Sequence, residues 1–463
     1  MAPLTGKELK EQKKKEKAAK RAAAKATDAT VVPSANTNGQ KEQTHQVKTA
    51  SHIKKQLNNA KIPVSNVKIP PMFSHLETRE QRSSASPVLA TIVHPSILSL
   101  SLKMSTYKVV GSNARAVAMM EAFKDVISSY ITPEGTSLQR NLTSHLSHQI
   151  EYLKTGRPLS VSMGNAIRWL KQRISVIPIT TDDATAKQLL VEQINDFIIE
   201  KIIAADDVII NYAAPHITNN SRILTFGHSK VLKKLFQYCA LKEDKTFDIY
   251  IIDSKPLFEG KRLAKDLAQY PENIKCHYNT LGSLSSLLAT TNIDYCFLGA
   301  HSMLSNGRLY SRVGTALVAM AAKRKNIPVL VCCESLKFSD KVQLDSVTQN
   351  ELGDPDDLIA TNATNKKGFY LEQYLDKVSQ QQEKDNKQQQ QQQQQQQKGK
   401  KNQESPATKE SDLSNWKQIP NLNVLNILYD LTPPEYIQKI ITEFGALPPS
   451  SVPVVLREYK STN

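Results

Sequence analysis

The sequence lacks any apolar run near the ~18 to 20 residues that a membrane-crossing helix requires, which excludes a helical membrane protein. No apolar h-region follows the first lysines, so no secretory signal is expected and the chain is expected in the cytosol. Cysteine is scarce. Cys239, Cys276, Cys296, Cys332 and Cys333 are odd in number, scattered and without CxxC or His-rich spacing, which argues against a disulfide framework and a zinc site. They are read as reduced and mostly buried, and no metal is expected. Glycines are also few and never fall as GxGxxG or GxxxxGK[ST], so no cradle for a dinucleotide or triphosphate exists and no cofactor is expected. GxSxG, the nucleophile elbow of one hydrolase class, is missing too.

What is present is length and positive charge. At 463 residues the chain accommodates two or three domains. The net charge of +16 suggests nucleic acid until its location is considered. Residues 1–85 carry 17 Lys and Arg against 7 Asp and Glu, and residues 377–411 carry 7 against 4, which leaves the rest almost neutral. A basic groove on a folded domain would keep its charge in the body, so any RNA or ribosome contact would be tail-borne, weak and salt-sensitive. A solubilising tail is the plainer reading, and Lys13-Lys14-Lys15 could also serve nuclear targeting.

Residues 1–85 hold few large apolar side chains and cannot bury enough surface to offset their ordering entropy, so a disordered basic tail is expected. Within it, 7–25 could form one exposed helix without an apolar stripe. A second disordered segment, 378–411, contains the glutamine run 388–397 and reads as a surface insertion interrupting one domain. Residues 86–214 read as an all-helical domain. Apolar residues recur at three- and four-residue spacing over 114–130, with Val117, Ala118, Met120, Phe123, Val126 and Ile127 as the stripe, and further helices are expected over 137–153, 162–177 and 184–213.

From 215 to 463 short apolar runs alternate with helical stretches. Strands are expected at 223–226, 248–252, 274–278, 295–298, 329–333 and 424–429, with helices near 228–241, 259–269, 281–290 and 312–325. That alternation implies an α/β fold, a Rossmann-like doubly wound parallel sheet with right-handed crossovers. Ligands of such sheets sit outside the carboxyl ends of the strands. There the sequence places Phe226 and His228, Asp253, His301 and Asn306, Glu334 and Asp430. A Ser–His pair at His228-Ser229 or His301-Ser302 is disfavoured, because sequence neighbours rarely point at one another. Cys332-Cys333 sits in a core strand and reads as packing. Asp253, Glu334 and Asp430 could act as general acid or base, but more often such carboxylates hold turns or cap helices.

Several long motifs carry a family resemblance. Gly299-Ala300-His301, Asn306-Gly307, Ser311-Arg312-Val313-Gly314-Thr315-Ala316, Pro328 to Glu334, Asn350-Glu351-Leu352-Gly353-Asp354-Pro355 and Tyr429 to Glu435 closely resemble the regulatory subunits of the guanine-nucleotide exchange factor that recharges eukaryotic translation initiation factor two. His94-Pro95-Ser96, Gly111-Ser112-Asn113-Ala114-Arg115 and the stretch from Arg157 to Ile167 match the same family, and the basic N-terminal extension is similar to that of its delta member. The resemblance spans roughly 90–376 and 412–459.

The resemblance implies a non-catalytic subunit. It would pair through its α/β domain with alpha and beta siblings, carry gamma and epsilon, and use its helical domain to help read the phosphorylated alpha subunit of initiation factor two. The family is similar in fold to aldose-phosphate isomerases acting on methylthioribose 1-phosphate or ribose 1,5-bisphosphate, and isomerase activity is the alternative reading. Those enzymes place a cysteine at the first strand end and an aspartate in Gly-Ala-Asp, where this chain has Phe226-Gly227-His228-Ser229 and Gly299-Ala300-His301. Losing each proton-transfer group would lower the rate by ~10² to 10⁴, so the pocket is expected to be vestigial. The apolar, proline-punctuated stretch 441–455 could be core or pairing surface, with Phe444, Leu447, Val452 and Val454 as interface candidates.

Overall fold

The computed structural model describes residues 68–84, 93–178, 180–359, 413 and 415–462, and the statements below concern these. The expected helix at 7–25 and the insertion 378–411 lie outside them.

The helical part begins with Pro95–Ser105 (α1), Ser112–Ser129 (α2), Leu138–Gly156 (α3), Val161–Val176 (α4) and Asp183–Ile198 (α5). Local chemistry fixes several starts. The Ser160 hydroxyl accepts the Met163 amide, and the Asp182 carboxylate accepts that of Ala184. The α2 stripe, Met119, Met120, Phe123, Val126 and Ile127, enters a core shared with Leu142, Leu146, Met163, Leu170, Leu190 and Ile194.

The stretch expected as one helix over 184–213 is continuous but changes partners. After α5 it passes through a π-helical turn, Ile199–Ala204, into Ala205–Ala213 (α6). Ile202 belongs to the helical core, whereas Ile209, Ile210 and Ala213 pack on the sheet.

The sheet follows: Ser221–Phe226 (β1), Lys230–Leu241 (α7), Phe247–Asp253 (β2), Glu259–Leu267 (α8), Ile274–Thr280 (β3), Leu284–Thr290 (α9), Tyr295–Gly299 (β4), Ser302–Leu304 (β5), Leu309–Arg312 (β6), Thr315–Arg324 (α10), Val329–Cys332 (β7), Phe338–Ser339 (β8), Tyr429–Thr432 (β9), Lys439–Thr442 (β10), Gly445–Leu447 (β11) and Val452–Thr462 (α11). The large sheet has the order β11-β10-β7-β4-β1-β2-β3, parallel except for β11. It is the doubly wound arrangement expected from the alternation. Successive strand residues serve opposite faces: Leu224 and Phe226 join α9, α10 and α11, while Ile223, Ile249 and Phe297 join α6, α7 and α8.

One expected strand is misplaced. The run 424–429 was to be the sixth parallel strand, but that place is taken by β10, beside β7. Residues Tyr429–Thr432 instead form β9 of a second, four-stranded sheet of order β8-β5-β6-β9, which the sequence reading lacks. Both runs are apolar and strand-like, so periodicity does not separate them. Pro433-Pro434 interrupts the chain between them, and long-range pairing assigns each to its sheet.

Residues 68–84, counted with the basic tail on composition, are placed here against the folded body. Thr78 and Gln81 make a reciprocal capping box for the short helix Arg79–Ser84, which packs on α3. Among the described residues no helix is long and apolar enough to cross a membrane, and no group of His, Cys, Asp or Glu could hold a metal ion.

Candidate functional site

From β1 the order runs to β2 and β3 on one side and to β4, β7 and β10 on the other, so the winding reverses between β1 and β4. The loops leaving their carboxyl ends diverge there, and a doubly wound sheet opens its crevice at that point. A cavity of about 520 Å³ occupies it, lined in part by Phe226, His228, His301, Glu334, Asn113, Asp206, Arg262, Arg312, Lys337 and Tyr429. Close packing shapes its mouth. Gly314 has φ +108°, and a Cβ there would stand 2.6 Å from Phe226 Cζ, while one at Gly299 would stand 2.6 Å from Ser229 Cβ.

Four of the sequence candidates therefore converge and three do not. Phe226 is largely core. Asp253 caps α8: its Oδ2 accepts the Lys261 amide at 3.1 Å and the Tyr278 hydroxyl at 3.0 Å. Asp430 lies inside β9, where its Oδ2 accepts the Gly314 and Ala316 amides at 2.7 and 2.9 Å and caps α10. Asn306 sits in the β5–β6 turn and donates to the Gln343 carbonyl at 2.9 Å. Asp253, Asp430 and Asn306 are thus corrected from pocket groups to positions outside the main cavity, because strand-end carboxylates and amides satisfy the nearest free backbone groups.

His301 is half-buried, with its ring 4.5 Å from that of Tyr429 and 5.8 Å from Tyr310. Burial, reinforced by Arg115, Arg312 and Arg157, holds its pKa well below the ordinary value, so the imidazole is neutral at pH 7. His228 is shifted down as well, again chiefly by burial.

Around them lies a charge network that motif reading missed. Arg157 forms a fork with Glu351, Nε to Oε1 at 2.7 Å and Nη2 to Oε2 at 3.0 Å, and Nη2 also donates to the Tyr429 hydroxyl at 3.1 Å. Arg157 is 2% and Glu351 4% exposed. Burial alone would raise the Glu351 pKa, but Arg157 overcomes it and holds the carboxyl below its usual range. Arg312 makes a second fork with Glu259, at 2.8 and 3.3 Å. Among the described residues Arg115 has no carboxylate partner. Its Nη2 donates to the Pro158 carbonyl, and burial, with Arg157 next, lowers its pKa to about 10.

On the opposite wall Glu334 accepts from Asn113 Nδ2 at 2.9 Å and pairs with Lys337 at 2.6 Å, which binds helix α2 to the end of β7. Asn165 strengthens that junction by donating to the carbonyls of Leu336 and Phe338. Asp206, at the start of α6, pairs with Lys234 at 2.9 Å; burial and then Glu334 push its carboxyl up to about 6. These partners are separated by up to 221 residues, and no local spacing announces them. The sequence signal was that Asn113, Arg115, Arg157, Asn165, Arg312, Glu334, Glu351 and Tyr429 all fall inside the quoted motifs.

The thiols are poor nucleophiles: burial raises the pKa of Cys296, Cys332 and Cys333. What the geometry offers is charge held in fixed forks and a neutral histidine between aromatic rings. In the C-terminal stretch Phe444 is 56% exposed, Val454 is exposed and Leu447 half-buried. Val452, expected as an interface candidate, is corrected to core: it packs with Val455 and Leu456 beneath the sheet, because α11 turns that side inward.

Comparison with known proteins adds four findings. Residues 108–449 match the model of the Initiation factor 2 subunit family. The chain is 36% identical over 99% of its length to a Schizosaccharomyces pombe protein named translation initiation factor eIF2B subunit delta, covering 90% of that protein. A solved chain from the tetrameric eIF2B-beta2-delta2 complex of C. thermophilum superposes with a TM-score of 0.61 at 31% identity, over 82% of this chain and 99% of that one. More distantly, a ribose 1,5-bisphosphate isomerase of Pyrococcus furiosus is 24% identical over 78% of this chain and 93% of its own.

Proposed function

Because this chain belongs to the Initiation factor 2 subunit family, we propose that it is a delta-type regulatory subunit of the guanine-nucleotide exchange factor for translation initiation factor two, acting through assembly without catalysing exchange. The observation that carries the reading is the likeness to a delta subunit over almost the whole chain. Pairing with sibling subunits follows from the likeness to a beta–delta complex. Alpha, gamma and epsilon subunits are the further partners we propose, with the helical domain helping to sense the phosphorylated alpha subunit of initiation factor two. Phe444 and Val454 are the side chains we propose for sibling contact. The basic tail would add only weak, salt-dependent RNA or ribosome contact, and the site of action would be the cytosol.

The absence of catalysis is supported by the crevice. At the two strand ends where the isomerases carry a thiol and a carboxylate stand His228 with Ser229 and a half-buried, neutral His301. Neither offers an acid–base pair across the cavity.

Affinity purification from cells tests the reading: stoichiometric recovery of four accompanying subunits, with GDP release stimulated only by the whole assembly, is expected. Recovery of the chain alone would refute it. The isomerase alternative keeps one supporting observation, the cavity at the switch point shared with a fold that hosts such enzymes. It requires the lone chain to turn over a phosphorylated aldose and His301→Ala to abolish that turnover.

A further inference from the structure

We infer that residues 68–84 form a strap that braces the stretch 350–353 and through it the Arg157–Glu351 fork, which meets the strand-end cavity at Tyr429. The inference starts from how this segment is attached. None of its apolar side chains is fully buried: Met72 is 64% exposed, and Ile69, Phe73 and Leu76 are half-buried. It is held instead by polar side chains that donate to backbone carbonyls of the body. Lys68 Nζ reaches the Trp416 carbonyl at 3.2 Å and that of Ile419, and the His75 ring is 3.0 Å from the Val347 carbonyl.

Arg82 is the inner anchor. It is buried, and its Nη2 donates to the Leu352 carbonyl at 3.2 Å while Nη1 donates to that of Glu77 within the strap. The capping box at Thr78 and Gln81 sets the helix that aims it.

The Arg82 end of the strap leads toward the cavity. Leu352 pairs with Ile427, and Gly353 donates to the Asn426 carbonyl at 2.8 Å, so this stretch is stitched to the chain entering β9. Asn350 donates to the Tyr429 carbonyl at 2.8 Å. Between them Glu351 closes on Arg157, and Arg157 reaches the Tyr429 hydroxyl beside His301. A charged donor seated on a single carbonyl can be withdrawn without opening an apolar core. Residues 68–84 are therefore held on the stretch 350–353 by contacts that are separable from the fold.

The test is hydrogen exchange on the full chain. Arg82→Met keeps bulk and removes the donors. It is expected to speed exchange about tenfold at amides 347–353 and 426–428 while those of α2 and α4 keep their protection. Thr78→Ala, which removes only the cap, is expected to raise exchange at the same amides by a smaller factor. Lys68→Met should act only around 416–420. Unchanged exchange at 347–353 in Arg82→Met, a uniform rise throughout the molecule, or a rise in Thr78→Ala confined to 78–84 would each overturn the inference.

Discussion

Glu351→Gln removes one charge from the fork with Arg157 and leaves the rest of the wall intact. The two groups are bonded at 2.7 and 3.0 Å and almost wholly buried, so the remaining guanidinium would keep its desolvation penalty without its counter-charge. The new amide oxygen and the Tyr429 hydroxyl stay as neutral acceptors, and Arg115 and Arg82 add repulsion. Breaking a buried pair in this way costs about 3 to 5 kcal/mol. Thermal unfolding should register a fall of roughly 10 °C, given about 2 to 4 °C per kcal/mol for domains of this size. The loss should barely change with salt, because a buried pair is little screened. Removing both charges with Arg157→Met and Glu351→Leu should restore most of the stability, giving a strong positive coupling in the double-mutant cycle. A single-variant loss below about 1 kcal/mol, or additive losses in the pair, would refute the assignment of this fork as a charge-compensated unit.

Asp206 has its carboxyl pKa raised to about 6 by burial and Glu334, against ~3.9 in an unfolded chain, so the folded state holds the proton more tightly. Its stabilising contribution is complete below pH ~4 and lost as pH rises through 6, roughly 1 to 3 kcal/mol in all; Asp206→Asn should flatten that part of the pH–stability curve, and an unaltered slope would count against it. Gly314→Ala places a Cβ at 2.6 Å from Phe226 on a backbone with φ +108°, so a loss of about 2 kcal/mol or more is expected in denaturant unfolding. Asp430→Ala uncaps α10 and should cost about 1 to 2 kcal/mol, while Asp430→Asn, which keeps an acceptor, should cost much less; equal losses would place Asp430 in another role. His301→Ala in the assembled complex should leave GDP release unchanged, since a neutral, aromatic-flanked imidazole holds no part in exchange; a fall in release without a fall in stability would contradict the regulatory reading.

Period alone identified most elements. The stripe on α2 marks one dry face, and the continuous apolar runs of β1, β2, β4 and β7 mark strands dry on both faces; both are local patterns that need no reference to any partner. The family resemblance likewise lay in contiguous motifs. The caps at Ser160 and Asp182 are equally local, since a cap acts within three residues. Where two runs were equally strand-like, as at 424–429 and in β10, local pattern had no power to choose, and the choice fell to pairing with β6 or β7.

The site shows the same division. That His228, His301 and Glu334 would meet followed from the sequence, because doubly wound sheets gather their carboxyl ends and the strand ends were readable. That Asp253 and Asp430 would turn aside to cap helices, that Arg157 would find Glu351 across 194 residues, and that 68–84 would leave the tail to lie on the body were decided only in three dimensions. The physical reason is range. Hydrophobic period and capping are encoded within a turn or two, whereas a buried charge takes whichever partner the completed fold brings within about 3 Å.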